Sequence, residues 1–234
     1  FSGTAAGAGK FAGGAAVSFN MSELKSKALV DGAKLESLAG NIFIKSSASG
    51  EMIALAAGAS GAGKVAIGGS VVIGVLNNDI EASANNYASL TAEESVNIQA
   101  EDKTSAILVA GVAGGAGTAA VGLSNSTFIS NNAVISSIGE NVKVKGKGKK
   151  AVIQTLGADI ATAGSWTFIN RRGVFVSAVS DHAVRIFAAV GEGAGQVSVS
   201  GSGTLSILND TVKATIGEKA TVDAGDSTSE ADLS

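Results

Sequence analysis

Residues 58–67 read GASGAGKVAI. Gly58, Gly63 and Lys64 match the first seven positions of the phosphate-binding pattern G-x-x-x-x-G-K-[ST], and an apolar run at 53–57 leads into them. Such a loop works between a strand and a helix, with backbone N–H groups and the Lys on the phosphates and a Ser or Thr hydroxyl on magnesium. Val65 stands where that hydroxyl is required, and residues 65–75 (VAIGGSVVIGV) are β-branched and Gly-rich, a poor helix. The tripeptide Gly-Ala-Gly also recurs at 7–9, 61–63, 115–117 and 193–195, followed by Lys10, Lys64, Thr118 and Gln196. A motif that recurs while losing its cation carries backbone geometry, so no nucleotide is expected here.

The intervals between these tripeptides are 54, 54 and 78 residues, the last longer by 24. Sixteen positions after each start, three units carry a polar pair: Asn77-Asn78, Asn131-Asn132 and Asn209-Asp210. The first unit has Glu23-Leu24 instead. Alternating segments follow, Ile80/Ala82/Ala84, Val134/Ser136/Ile138 and Val212/Ala214/Ile216. The chain is read as one solenoid fragment of a longer protein, with units of about 7–60, 61–114, 115–192 (expanded by 24 residues) and 193–234.

Composition agrees with strands. Glycine is 32 of 234 residues and aromatics only 4%, yet 45% of the chain is apolar, too much for a disordered segment. Small and β-branched side chains suit a narrow, strand-rich interior. A formal net charge of −3 gives no electrostatic case for nucleic acid. The absence of Cys excludes disulfides and thiolate metal sites, and suits a chain that crosses a bacterial periplasm unfolded. Residues 106–123 form an apolar run long enough for a membrane span, with Gly111 and Gly115 spaced G-x-x-x-G. Five glycines and membership of the repeat argue against that span.

Short period-2 runs such as Val142-x-Val144, Val174-x-Val176 and Val197-x-Val199, separated by Gly, Asn and Ser, predict an all-β solenoid. A rung of roughly 20 residues gives ~10–13 rungs and a rod ~45–60 Å long, the 24-residue expansion adding about one more. The Asn pairs are read as turns, a whole unit apart and therefore unable to form a rung-to-rung ladder. A sandwich or barrel is the alternative, but neither requires such a repeat.

Candidate sites are few. Gly114-Gly115-Ala116-Gly117-Thr118-Ala119 has Ala where a calcium-binding nonapeptide needs Asp, and no EF-hand spacing occurs, so no metal or other cofactor is expected. His182 is the single histidine. With Asp181 and Arg185 on one rung face it would resemble the β-helix enzymes that cleave polysaccharides; the simpler reading is a solvated turn. No G-x-S-x-G elbow is present. The expanded unit holds a basic run, Lys145, Lys147, Lys149 and Lys150, followed by Trp166, Phe168, Arg171 and Arg172. Residues 166–177 read as a hairpin projecting from the rod. Aromatic plus Arg is the composition of protein-contact hot spots, and clustered Lys suits sulfated glycans or anionic headgroups. The plain alternative is an extra rung with a solvated loop.

The segments GAGKVAIGGSVVIGVLNNDIEASA (61–84) and GAGQVSVSGSGTLSILNDTVKATIG (193–217) resemble the repeats of very large type V-secreted filamentous adhesins, especially the fusobacterial leukotoxin-like ones. The resemblance runs from about residue 7 to 217 and is weakest across 140–182. It implies a right-handed parallel β-helix passenger, export through a partner outer-membrane transporter, a secreted or cell-surface location, and attachment to a host-cell protein or glycan, or leukocyte toxicity. It supplies no catalytic residue. The expectation is a non-enzymatic adhesin or toxin scaffold; the alternative is a β-helix polysaccharide lyase or hydrolase.

Overall fold

Glycine and β-branched residues make extended backbone the low-cost conformation, and among the described residues every regular element is a strand. The computed structural model describes residues 1–149, 152–158 and 166–225, the segments 152–158 and 166–171 by backbone pairing only. The chain opens with β1 (Ser2–Ala8), turns into β2 (Phe11–Asp31), crosses β3 (Lys34–Ser37) and enters β4 (Ile42–Ala62). The same circuit repeats through β5 (Val65–Asn85), β6 (Ser89–Ala92) and β7 (Val96–Ala116), then β8 (Ala119–Ile138) and β9 (Lys143–Gly146). After an antiparallel pair, β10 (Val152–Ala158) and β11 (Trp166–Arg171), it resumes as β12 (Val174–Ala194), β13 (Val197–Ile216) and β14 (Thr221–Asp223).

Like strands stack in parallel. A front sheet has the order β1-β4-β7-β12, a back sheet β2-β5-β8-β13, and a short third sheet β3-β6-β9-β14. The architecture is a parallel β-helix, consistent with the right-handed coil expected of β-crossover connections. Each circuit is a flattened triangle. Two long sides meet at a tight turn at one end and are joined by the short sheet at the other.

The size of the rung departs from expectation. Val65 pairs with Ala119 and Ile42 with Val96, so one turn of the coil consumes the whole 54-residue unit. Each of the three parallel sheets holds four strands, and the expected 10–13 short rungs are replaced by about four long ones. The long strands run 20–21 residues, hence roughly 70 Å, while the stack of four is only ~15–20 Å deep. The reason lies in the residues taken for turn signals. Gly68, Gly69, Gly74 and the pair Asn77-Asn78 all lie inside β5. Gly74 is small because the facing sheet is close: a Cβ there would lie 2.9 Å from Leu108 and 3.0 Å from Met52 Sδ.

The Gly-Ala-Gly motif is the narrow corner, where β4 turns through residues 63–64 into β5. No helix follows, so the phosphate-loop reading fails on structure as it does on sequence. The second glycines, Gly9, Gly63, Gly117 and Gly195, stack in a column, with Gly117 and Gly195 N–H groups bonding to Ala62 and Ala116 carbonyls at 3.2 Å. Lys64 is exposed beside them. The apolar run 106–123 spans the end of β7, this corner and the start of β8. Among the described residues no helix is long and apolar enough to cross a membrane.

Alternation sends even-numbered residues of β5 inward and odd-numbered ones outward. The interior contains two apolar clusters. One, near the short sheet, includes Ile80, Leu90, Ile98, Val134 and Ile138; the other, nearer the corner, includes Met52, Val72, Leu76, Leu108 and Phe128. Burying a side chain such as Leu108 or Phe128 stabilises the fold by ~1.5–3 kcal/mol each.

Candidate functional site

The basic run begins on β9, and its period-2 backbone turns Lys143, Lys145, Lys147 and Lys149 to solvent. Two carboxylates from neighbouring rungs lie among them. Lys145 Nζ is 2.7 Å from Asp223 on the rung above, and Lys149 Nζ is 2.5 Å from Glu93 on the rung below. Lys147 also pairs with Glu93. Hydrogen bonds from Lys147 and Lys149 hold the Glu93 carboxyl down at about 2. Four cations around two carboxylates leave this edge electropositive. Its lysines are also ties between rungs, a role their sequence spacing did not suggest.

Arg172 is exposed immediately before β12. Lys150 and the side chains of Trp166, Phe168 and Arg171 lie outside the described residues. The backbone nevertheless corrects the hairpin. Trp166 pairs with Ala158, Phe168 with Thr155 and Arg171 with Val152, so the two strands are 152–158 and 166–171 rather than two halves of 166–177. Residues from Val174 onward belong to the front sheet. The hairpin is neither an extra rung nor a free projection, since β10 packs against β12. Asn97, Gln99 and Val179 alternate to the outer side of the front sheet, yet they are buried on that face.

Both ends of the insertion are pinned to one three-residue turn beneath it, Glu93-Glu94-Ser95. Gly148 N donates to the Glu94 carbonyl (2.6 Å), and Gly173 N donates to Ser95 Oγ (3.1 Å). Rungs on either side of the insertion stay in step. Val96 pairs with Val174 and Lys143 with Thr221, each pair 78 residues apart.

A second cluster was not anticipated. His182 lies inside β12, and its side chain is buried. Alternation points it inward while Asp181 and Arg185 point outward, so the three do not share a face, and the solvated-turn reading fails as well. Its Nε2 lies 2.5 Å from Asp102 Oδ2, and its Nδ1 lies 3.5 Å from Asp210. Asp102 is fully buried and accepts further bonds from Thr104 Oγ1 (2.7 Å) and Asn78 Nδ2 (3.1 Å). Asn132 Nδ2 donates to Ser180 Oγ at 2.9 Å in the same layer.

Burial alone would lower the His182 pKa. The hydrogen bond that His182 donates to Asp102 and the charges of Asp102, Asp210 and Asp181 outweigh it and raise the value. Asp102 mirrors this: burial pushes it up, but His182, Thr104 and Asn78 bring it below the usual carboxylate range. The hydroxyl of Thr104 donates to the carboxylate and not to the imidazole, so the geometry holds a charge pair and does not activate a nucleophile. The sequence signal was a polar residue at an inward position of a period-2 strand, visible once the phase of β12 is known.

The outer residues of the Asn pairs form a ladder. Asn209 donates to Asn131 at 3.0 Å and Asn131 to Asn77 at 2.9 Å, on strands rather than in turns. The expectation that they lay too far apart fails because 54 residues is one rung. Compared with known proteins, the chain matches no family model, no curated protein and no solved structure.

Proposed function

We propose that the chain is a display scaffold: a segment of a secreted or surface-exposed bacterial adhesin or leukotoxin passenger that attaches to host cells through its expanded unit. The reading rests on one observation. A 24-residue insertion carrying a hairpin leaves the coil between two in-register rungs, and both its ends are tied to the same turn. Such a chain can vary its surface without disturbing its frame. The electropositive edge that precedes the hairpin suits a sulfated glycan or an acidic protein surface. The absence of cysteine suits export through an outer-membrane transporter.

The test is attachment of the chain to leukocytes, epithelial cells and immobilised heparin. Neutralising Lys145, Lys147, Lys149 and Lys150 together, or deleting residues 149–172, should reduce attachment about tenfold while strand circular dichroism is retained. Attachment unchanged by both alterations refutes the reading.

A further inference from the structure

Among the described residues, the inward positions of the corner half of the coil hold one titratable side chain, Glu192. It lies near the end of β12, in register with Gly114 on β7 and, one strand further, Ser60 on β4. Both its carboxyl oxygens are shut off from solvent, and neither has a hydrogen-bond partner. The side chain fits because the positions around it carry none. A Cβ at Gly122 would lie 2.6 Å from Glu192 Cγ and Oε1, one at Gly68 would lie 3.1 Å from Oε1, and one at Gly114 would overlap Oε2. The Ser60 hydroxyl is also buried and unpartnered, 3.3 Å from that same Gly68 position. The remaining inward neighbour, Ser200 on β13, is uncharged. The corner lysines Lys10 and Lys64 are exposed, so no cation faces the carboxyl from any strand packed against it. Across the corner, Ser198 Oγ donates to the Glu192 carbonyl at 3.1 Å, which ties the start of β13 to the end of β12.

We propose that Glu192 is a proton-operated latch on this corner. As a neutral acid it sits in the glycine slot and holds the end of β12 and the start of β13 on the stack; as a carboxylate it leaves the slot and frees them. A carboxylate held out of water with neither a donor nor a counter-charge is costly. The neutral acid avoids that cost, and its O–H has an orphan acceptor, the Ser60 hydroxyl, in the same slot. One carboxylate and one hydroxyl are too few ligands for a calcium ion, and no metal-ligating cluster of three occurs among the described residues, so the neutralising partner is a proton. Burial pushes the carboxyl above its ordinary pKa. With the folded value raised, latching is complete below the unfolded value of about 4.3 and is lost as pH rises through the folded value. The way out is short: β12 is the outermost front strand described, so rotation of the side chain over its edge returns the charge to water. The Ser198 bond makes the two strand ends move together, and opening is confined to this corner.

The test is amide hydrogen exchange of the 234-residue chain, read peptide by peptide at pH 4.5 and pH 8 and corrected for the intrinsic pH dependence of exchange. Protection across residues 188–202 should fall at least tenfold between the two, while the middle of β5 and β7 changes less than twofold. Glu192→Gln, which keeps the shape of the neutral acid, should hold the acid level of protection at both pH values. His182→Gln should leave the effect in place, since that ring lies ten residues back along β12, ~33 Å away. Equal protection of residues 188–202 at both pH values in the unaltered chain overturns the proposal, and that arm needs no variant. So does a loss of protection in Glu192→Gln at both pH values, which would make the carboxylate the form the slot holds. A pH effect that vanishes in His182→Gln overturns it as well.

Discussion

An alanine Cβ at position 63 would lie 2.2 Å from the Gly9 carbonyl oxygen, and one at position 61 would meet nothing within 4 Å. Two glycines of one tripeptide therefore have different reasons to be there. Gly61→Ala should change stability by no more than ~0.5 kcal/mol, whereas Gly63→Ala, overpacking a corner between backbones, should cost ~1–3 kcal/mol in urea unfolding. His182 offers a second test at this scale. Its pKa is raised in the folded state, so its contribution is complete below about 6.5 and is lost as pH rises through the folded value. Asp102 is lowered, so its contribution is present above ~3.9 and is lost as pH falls through its own folded value. The thermal midpoint should be highest between these limits and decline above neutrality. His182→Gln should flatten the alkaline decline, and Asp102→Asn should lower the His182 pKa and cost ~1.5–3 kcal/mol below pH 6, the loss of one charged hydrogen bond with Asp210 still beside the ring.

At the scale of elements, the insertion is separable from the coil. Deleting residues 149–172 leaves Lys147-Gly148-Gly173, a turn of the same three residues' length as Glu93-Glu94-Ser95. The ends already meet: a Cβ on Gly148 would be 3.6 Å from Gly173 N. The deletion should keep the strand spectrum, with a thermal midpoint within a few degrees of the full chain. Strand type, the four-fold repeat and the corner at Gly-Ala-Gly were all legible in the sequence, because period-2 alternation and recurring glycines are local signals. Strand length was not. Asn77-Asn78 and Gly68-Gly69 are locally indistinguishable from turns, and only the facing Leu108 and Met52 explain why the backbone stays extended there. The Asp102–His182 pair was equally hidden, since its partners are 80 residues apart and on different rungs. The basic run was legible as a cluster, but Glu93 and Asp223, which share it, come from other units.

Taken whole, the molecule is a slab with its long dimension along the strands, and its stabilising contacts join residues 54 or 78 apart. Contacts of that separation make folding slow, because loop closure precedes any compensating interaction. The two broad outer faces differ. The front sheet bears Gly and Ala columns near the corner and receives the hairpin near the short sheet, while the back sheet presents bulky apolar rows. The 54-residue rung also sets a mechanical scale. Peeling one rung from the stack shortens the slab by only ~5 Å but releases about 180–190 Å of extended chain. Under traction each detached rung would act as a long tether, which yields by lengthening before neighbouring rungs are loaded.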